Sequence, residues 1–304
     1  QPFHTYFYHY LPNRFDLVFR KMELFPFSFK EILDYKKINY SDLSSLTNAA
    51  ILNEFDIYLE NGGIPDFIKY NNLEFLKRLY EDIVQKDLVA RFGIRNNIAF
   101  RKVTQYLMTN FTKEVSYNSL TKIIGIQSPN SIKDYIGYLQ DSYLIFELHK
   151  YDFSLKRQYV SNKKIYVIDN GIRNRVAFRF GADLGNLLEN IVFIELKMRQ
   201  KDLYYYKTKN NMEVDFFVKE NNPQLIQVCY SIEDYKTKER EIKSLKTAMD
   251  ELDLKEGLIL TYNSFDDIKI EDKMIYIRPT WKWLIAYTGK RRKTIAKIPA
   301  GVFG

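Results

Sequence analysis

Two carboxylates, an amide and a thiol lie between residues 187 and 230, close enough along the chain to belong to one chemical site. The spacing of apolar residues in the first part of this stretch predicts a helix that carries Glu189. Three predicted strands separated by polar turns follow, at residues 203–207, 212–218 and 225–230. Asp215 lies on the second strand, and Gln227 and Cys229 lie on the third.

The alternation of side chains along a strand predicts which residues of this stretch face each other. On the second strand, alternation places Glu213, Asp215 and Phe217 on one face. Val214 and Phe216 then lie on the opposite face.

On the third strand, the same alternation places Leu225, Gln227 and Cys229 on one face. We therefore expect Asp215 and Gln227 to converge near the helix that carries Glu189.

Composition sets the broad class of the protein. The 304 residues are enough for two or three domains, and a hydrophobic content of 46% is typical of a globular chain. One cysteine excludes a disulfide framework and a cysteine-based zinc site, and it is compatible with a reducing compartment. The sequence contains neither an apolar run of the roughly 20 residues that cross a bilayer nor a signal peptide. We expect a cytoplasmic protein with no membrane partner.

The net charge of +8 is concentrated at one end of the chain. Residues 286–304 contain five basic residues and no acidic one, whereas residues 21–285 are nearly neutral. Overall basicity is therefore a weak argument for a nucleic-acid partner. A tail of this kind is more typical of a disordered extension.

The region before residue 96 is predicted to be mainly helical. Residues 1–20 begin without Met and have no clean period, which predicts an atypical or truncated start. In residues 21–95, Ser28 followed by Glu31 is typical of a helix capping box. Gly62 is predicted to end a second helix. This pattern favours a helical packing module.

Residues 96–172 have the order helix, helix, turn, helix, hairpin, which is that of a winged helix. The third helix would then be the recognition helix. The candidate nucleic-acid-binding residues are Lys133, Lys156, Arg157, Lys163 and Lys164. The same region also contains Asp134 and Asp141, and DNA-reading helices usually offer several Arg, Lys, Asn or Gln side chains. DNA binding and packing as a protein-interaction module are therefore both open.

A set of short motifs carries a resemblance to a known family. In chain order they are FPFSFKEIL, NGGIPDF, LYEDIVQKDL, KIYVIDNGI, LENIVFIEL, EVDF and IQVCY. Together they resemble prokaryotic AAA-type ATPases that carry a C-terminal winged helix and a PD-(D/E)XK nuclease-like domain of unknown function. The resemblance covers about residues 22–285. It implies an α/β multidomain fold.

The chain is predicted to have five regions, of which the resemblance implies the middle three. They are an atypical N-terminal segment (1–20), the end of the ATPase core with a helical lid or linker (21–95), a winged-helix domain (96–172), a restriction-endonuclease-like domain (173–285) and the basic tail (286–304).

The resemblance also assigns roles within the nuclease-like site. Asp215 matches the metal-binding Asp, and Glu189 matches the acidic residue of the first helix. The resemblance therefore implies Asp215 and Glu189 as the candidate metal ligands, and paired carboxylates suit a hard cation such as magnesium. Gln227 stands where the family has a second metal-binding carboxylate, and Cys229 stands where it has the lysine. Gln is a neutral, weaker magnesium ligand, and Cys does not supply a fixed positive charge. We therefore predict that nuclease chemistry is absent or very weak.

The motif that binds ATP in this family is missing from the printed sequence. The pattern GxxxxGK[ST] occurs nowhere in it, so ATP and magnesium are expected for full-length relatives and no cofactor is expected for this chain. The predicted function is a non-catalytic module that binds DNA or another protein. The alternatives are a metal-dependent nuclease acting on DNA and, in its full-length form, an ATP-binding protein. The oligomeric state stays open.

Overall fold

The computed structural model describes five parts of the chain, namely residues 4–7, 20–40, 44–178, 183–199 and 201–286. The protein is mixed α/β, which confirms the predicted fold class at that level. The predicted basic tail and most of the predicted N-terminal segment lie outside the described residues. Near the start, β1 (His4–Phe7) pairs antiparallel with β2 (Arg20–Glu23).

Helices make up the region that follows β2. They are α1 (Phe29–Tyr35), α2 (Ser45–Asn61), α3 (Pro65–Tyr70), α4 (Leu73–Glu81), a π-helical segment (Asp82–Leu88) and α5 (Val89–Arg91). The predicted capping box is present at α1, where the Ser28 backbone N–H donates to Glu31 Oε2 at 2.8 Å. Because the cap satisfies a backbone donor that the helix cannot, it defines where α1 begins.

The next region combines helices with a small antiparallel sheet. Its elements are α6 (Asn97–Thr109), β3 (Glu114–Val115), α7 (Tyr117–Ile124), α8 (Pro129–Asp141), β4 (Ile145–His149), α9 (Leu155–Val160), β5 (Lys163–Val167) and α10 (Asn170–Val176). The sheet order is β3-β5-β4, so β5 is the central strand. The strands β4 and β5 lie where the hairpin was predicted, with α9 between them.

The last region is built on a six-stranded sheet. Its elements are α11 (Leu184–Met198), β6 (Leu203–Lys207), β7 (Glu213–Val218), β8 (Gln224–Val228), α12 (Tyr235–Glu251), β9 (Glu256–Thr261), β10 (Asp266–Ile270), β11 (Lys273–Pro279) and α13 (Thr280–Ala286). The strand order is β10-β11-β9-β8-β7-β6. The β8–β9 and β9–β11 pairs are parallel, and the other pairs are antiparallel.

The two faces of the six-stranded sheet have different neighbours. One face packs against α12 through a core that includes Val214, Phe217 and Leu245. The other face belongs to a larger core that includes Phe216 and Ile226 and extends through α11 into the helices near the start of the chain. No helix among the described residues combines the length and apolarity that a membrane crossing needs.

A buried polar junction connects β5 and α10 to the helices on either side. The side chain of Asn190, on α11, accepts from Val167 N–H at 2.9 Å and donates to Val167 O at 3.0 Å. It also donates to Asn170 Oδ1 at 3.0 Å, and Asn170 in turn donates to Leu59 O at 2.9 Å. The Asn190 side chain therefore acts as a strand neighbour for β5.

Glycines permit the close approach at this junction. Gly62, which ends α2 as predicted, has φ = +71°, and a Cβ there would lie 2.0 Å from Asp169 Oδ2. The Asp169 carboxylate accepts from Gly63 N–H at 2.7 Å and from Ile172 N–H at 3.0 Å. Burial nevertheless raises the pKa of the Asp169 carboxyl to about 6.

We expect Asn190→Ala to lower the free energy of unfolding by about 3 kcal/mol, since it leaves the buried N–H and C=O groups of Val167 without their partner. Urea denaturation followed by circular dichroism measures the change. Asn97→Ala, at an exposed position on α6, is the control and should change stability by less than about 0.5 kcal/mol. Equal losses in the two variants would contradict the role of the junction.

Candidate functional site

The ammonium group of Lys164 lies among three carboxylates. Its Nζ atom is 2.7 Å from Glu189 Oε1, 2.9 Å from Glu213 Oε1 and 3.1 Å from Asp215 Oδ1. Lys164 comes from β5, Glu189 from α11, and the other two residues from β7. The lysine side chain is 2% exposed, so the ammonium is inside the protein, whereas the Glu213 side chain is 34% exposed and reaches towards the surface. We call these four residues the lysine–carboxylate cluster.

Alternation along β5 explains how the lysine reaches the carboxylates. Lys164 and Tyr166 are two residues apart, so they project from the same face of the strand. Tyr166 Oη donates to Glu189 Oε1 at 2.6 Å, and its ring stacks on Phe193 with centroids 4.0 Å apart. The aromatic stack fixes the face of α11 that carries Glu189, and the tyrosine hydroxyl orients the carboxylate.

An irregularity in β7 directs Asp215 towards the cluster. In the pairing with β6, Tyr204 is opposite Phe217 while Tyr206 is opposite Val214, so β7 contains one extra residue between these two pairs. Asp215 Oδ2 accepts from Val228 N–H at 2.9 Å, which holds the carboxylate against β8. The bulge allows Asp215 to turn towards Lys164 within an otherwise apolar strand.

The prediction that Glu213, Asp215 and Phe217 share one face of β7 was wrong for Phe217, although Glu213 and Asp215 do lie on the same side. Phe217 packs with Val214 in the core beneath α12, and Phe216 packs on the opposite side. Strict alternation predicts a single period of two, and the bulge interrupts that period.

Burial and mutual repulsion determine the charges in the cluster. Burial and, second, the negative charge of Asp215 raise the pKa of Glu189 to about 8, although Lys164 and Tyr166 act in the opposite direction. Burial opposes the charge on Lys164, but the three carboxylates more than offset this, and the pKa of Lys164 is well above its usual value. The cluster therefore keeps an ammonium ion and favours a proton on one of its acids near neutral pH.

The other two predicted site residues do not join the cluster. Gln227 Nε2 donates to Glu241 Oε2 at 2.8 Å, so its side chain faces α12 and not Glu189. Its Oε1 accepts from Asp215 N–H at 3.3 Å. Cys229 is on the same side, half-buried, and burial raises the pKa of its thiol to about 11. The expected convergence of Gln227 and Asp215 was wrong, because the bulge places their side chains on opposite faces.

The predicted nucleic-acid-binding residues divide into exposed and buried groups. Lys133, Lys156 and Arg157 are exposed, and Arg157 Nε pairs with Asp152 at 2.8 Å. Lys163 is largely buried, and its ammonium donates to Tyr159 O at 2.6 Å.

The predicted nucleic-acid contact of Lys164 was wrong. Its charge is neutralised inside the lysine–carboxylate cluster, where a phosphate cannot reach it. Sequence reasoning also missed Glu213 as a member of this site. The available signal was a lysine at alternate spacing from Tyr166 within the apolar run of KKIYVI, which is unusual for a solvated side chain.

The geometry does not fit a metal ion at the predicted ligands. Among the residues that the structure describes, no group of three or more His, Cys, Asp or Glu side chains is arranged to hold one. Glu189 and Asp215 do lie together, but their inward-facing oxygens bind the ammonium of Lys164. The cluster uses an internal cation to neutralise its carboxylates.

Two family models match consecutive parts of the chain. Residues 52–183 match the domain of unknown function DUF8612, and residues 184–283 match the domain of unknown function DUF4143. The boundary between the matches falls between Lys164 and Glu189. The lysine–carboxylate cluster therefore joins the two matched regions.

The curated relatives are longer than this chain. An uncharacterized protein of Methanocaldococcus jannaschii is 36% identical over 286 residues, which cover 88% of this chain and 64% of that protein. An uncharacterized protein of Haemophilus influenzae is 28% identical over 220 residues, which cover 70% of this chain and 53% of that protein. The chain thus spans between about half and two thirds of their lengths.

The comparison with solved structures includes one large assembly. It is the half-complex of Thermococcus gammatolerans McrB AAA+ hexamers with bound McrC, with a TM-score of 0.27 and 9% identity. The match covers 60% of this chain and 46% of that one. A TM-score this low carries no argument about fold or function.

We expect Lys164→Met to destabilise the protein by about 3–5 kcal/mol at pH 8, because two buried carboxylates and the half-buried Glu213 lose the cation that they share. The loss should shrink at pH 5, where the acids can take up protons. Urea denaturation at both pH values measures it. Lys156→Met, at an exposed neighbour of the same region, is the control and should leave stability unchanged at both pH values.

The raised pKa of Glu189 predicts a pH dependence with a definite sign. A carboxyl whose pKa is higher in the folded state binds its proton more tightly there, so its contribution to stability falls as pH rises from about 4.5 to about 8. Glu189→Gln removes this titration while keeping an acceptor for Tyr166, so the curve of unfolding free energy against pH should become flatter by ~2 kcal/mol or more over that window. Exposed Glu239→Gln should leave the slope as in the wild type.

Proposed function

We propose that this chain is a non-catalytic binding module, the C-terminal part of an ATPase-associated protein. The observation that carries the proposal is the lysine–carboxylate cluster. A magnesium ion needs carboxylate oxygens that face it and keep room for its water molecules. In this chain the inward-facing oxygens of Glu189, Glu213 and Asp215 accept from Lys164 instead.

The chemistry that remains at the cluster does not support phosphodiester hydrolysis. A catalytic metal polarises the phosphate and lowers the pKa of its bound water. A buried ammonium carries one positive charge, and all of it is used by the neighbouring acids. Gln227, on β8, is turned to α12, and Cys229, directly after β8, remains a neutral thiol because burial raises its pKa. Neither residue provides the cation that the nuclease family places there.

The order of elements supports a domain assignment within this proposal. The order α6-β3-α7-α8-β4-β5 is that of a winged helix, which supports that assignment for residues 96–172. A helix before three antiparallel strands, followed by a second helix and a parallel strand, supports a restriction-endonuclease-like assignment for residues 173–285. Residues 21–95 would then be the end of an ATPase core with its helical linker.

The association with an ATPase is supported by the motifs and by the DUF4143 match, because that domain is found in AAA-ATPase-associated proteins. The greater length of the curated relatives leaves room for such an ATPase region. ATP and magnesium would belong to the full-length protein. The winged helix is the proposed binding surface, on DNA or on another protein.

The rival function is a metal-dependent nuclease, which the proximity of Glu189 and Asp215 favours. Supercoiled plasmid incubated with the protein and Mg²⁺ or Mn²⁺ decides between them. We expect nicking at the level of the buffer, with no difference between wild type and Asp215→Ala. Exposed Asp272→Ala is the matched control. Nicking that disappears with Asp215→Ala but persists with Asp272→Ala would establish the nuclease instead.

A further inference from the structure

Exposed apolar side chains are concentrated around α9, the helix between β4 and β5. Phe153, Leu155, Tyr159 and Val160 lie within eight residues and are between 69% and 80% exposed. Single exposed hydrophobic residues are ordinary on a protein surface, whereas a cluster of large ones marks a binding surface. We call these four residues the α9 patch.

A groove of about 320 Å³ adjoins the α9 patch. Tyr159 and Val160 line it and therefore belong to both features. The first residues of α7 and α8, including Tyr117 and Pro129, also line it. A partner lying over the patch would thus extend into a preformed depression, which gives it an apolar anchor point.

The groove carries positive charge. Lys133 and Lys163 line it, and none of its described lining residues is acidic. Lys163 donates to Tyr159 O and lies 5.5 Å above the ring of Tyr117, so its ammonium is held at the groove wall. Burial and the neighbouring charge of Lys133 lower the pKa of Lys163, and the negative charge of Glu147 partly opposes them. A carboxylate in the groove would offset the repulsion between Lys133 and Lys163.

The acids near this surface are engaged elsewhere. Asp152 pairs with Arg157, and Glu147 accepts from Tyr117 Oη at 2.7 Å. Exposed Lys156 lies on α9 itself and adds to the positive charge beside the patch. The surface therefore combines large apolar side chains with positive charge, and the opening ends of α7 and α8 add their partial positive charges.

We infer that the α9 patch and the groove bind an acidic polypeptide segment of a partner protein, with apolar side chains on the patch and carboxylates at Lys133 and Lys163. The inference rests on the proposed binding function and names its class of partner. Nucleic acid fits less well, because sugar and phosphate groups do not cover the apolar side chains of Leu155 and Val160.

Selection of a random dodecamer phage library on the immobilised protein tests the inference. We expect enriched peptides to combine Asp or Glu with Leu, Phe or Trp. A labelled enriched peptide should then bind about tenfold more weakly to Tyr159→Ser/Val160→Ser and to Lys133→Glu, by fluorescence polarisation. Ile98→Ser and Lys209→Glu, at exposed sites elsewhere, are the matched controls and should bind within about twofold of wild type.

Several results would overturn the inference. These are no enriched sequence, enriched sequences without acids, or affinity unaffected by the patch variants once circular dichroism shows them folded. Phe153→Ser/Leu155→Ser replaces the first double variant if that one does not fold. The surface would be assigned to nucleic acid if duplex DNA bound more tightly than the peptide and if, of the variants, only Lys133→Glu abolished DNA binding. None of these outcomes involves plasmid cleavage, so the plasmid assay tests the non-catalytic proposal independently of the peptide experiment.

Discussion

A buried positive charge needs negative neighbours, and in this protein that requirement is met across long distances in the sequence. Lys164 finds its partners 25, 49 and 51 residues further along the chain. An ammonium group taken out of water without such partners costs several kcal/mol, so β5, α11 and β7 have to meet at one point for the fold to be stable. The other contacts between β5 and α11, through Tyr166 and Asn190, support this meeting point.

The same requirement connects the stability of the fold to the proposed lack of catalysis. Carboxylates assembled in one place are costly unless a cation neutralises them, and a catalytic site does this with a metal ion that can exchange its ligands. Here a side chain of the protein is the cation. It gives the fold a permanent neutralising charge, and it also takes away the open coordination position from which hydrolysis would proceed.

Local patterns in the sequence predicted the elements well, because their signals lie within a few residues. The capping box of Ser28 and Glu31 marks the start of α1 through backbone hydrogen bonds. Gly62 marks the end of α2 through its positive φ. Glu189 and Asp215 were predicted to approach each other, and both contact Lys164. The position of Gln227 relative to Asp215 was not predictable in this way. It depends on one extra residue in β7, which appears only in the pairing of β7 with β6. Lys164 was misread because charge suggests exposure, and its burial depends on partners from other elements.

The contact of Lys164 with α11 and β7 also couples the evolution of the two matched regions. The positive member of the cluster lies in the DUF8612 match, and all three negative members lie in the DUF4143 match. If recombination replaced the region with the carboxylates by one that binds a metal ion, both the lysine and the metal ion would lie in the site. If it replaced the region with Lys164 by one that lacks the lysine, the carboxylates would have no cation. The lysine and its carboxylates can therefore be gained or lost in evolution most easily together.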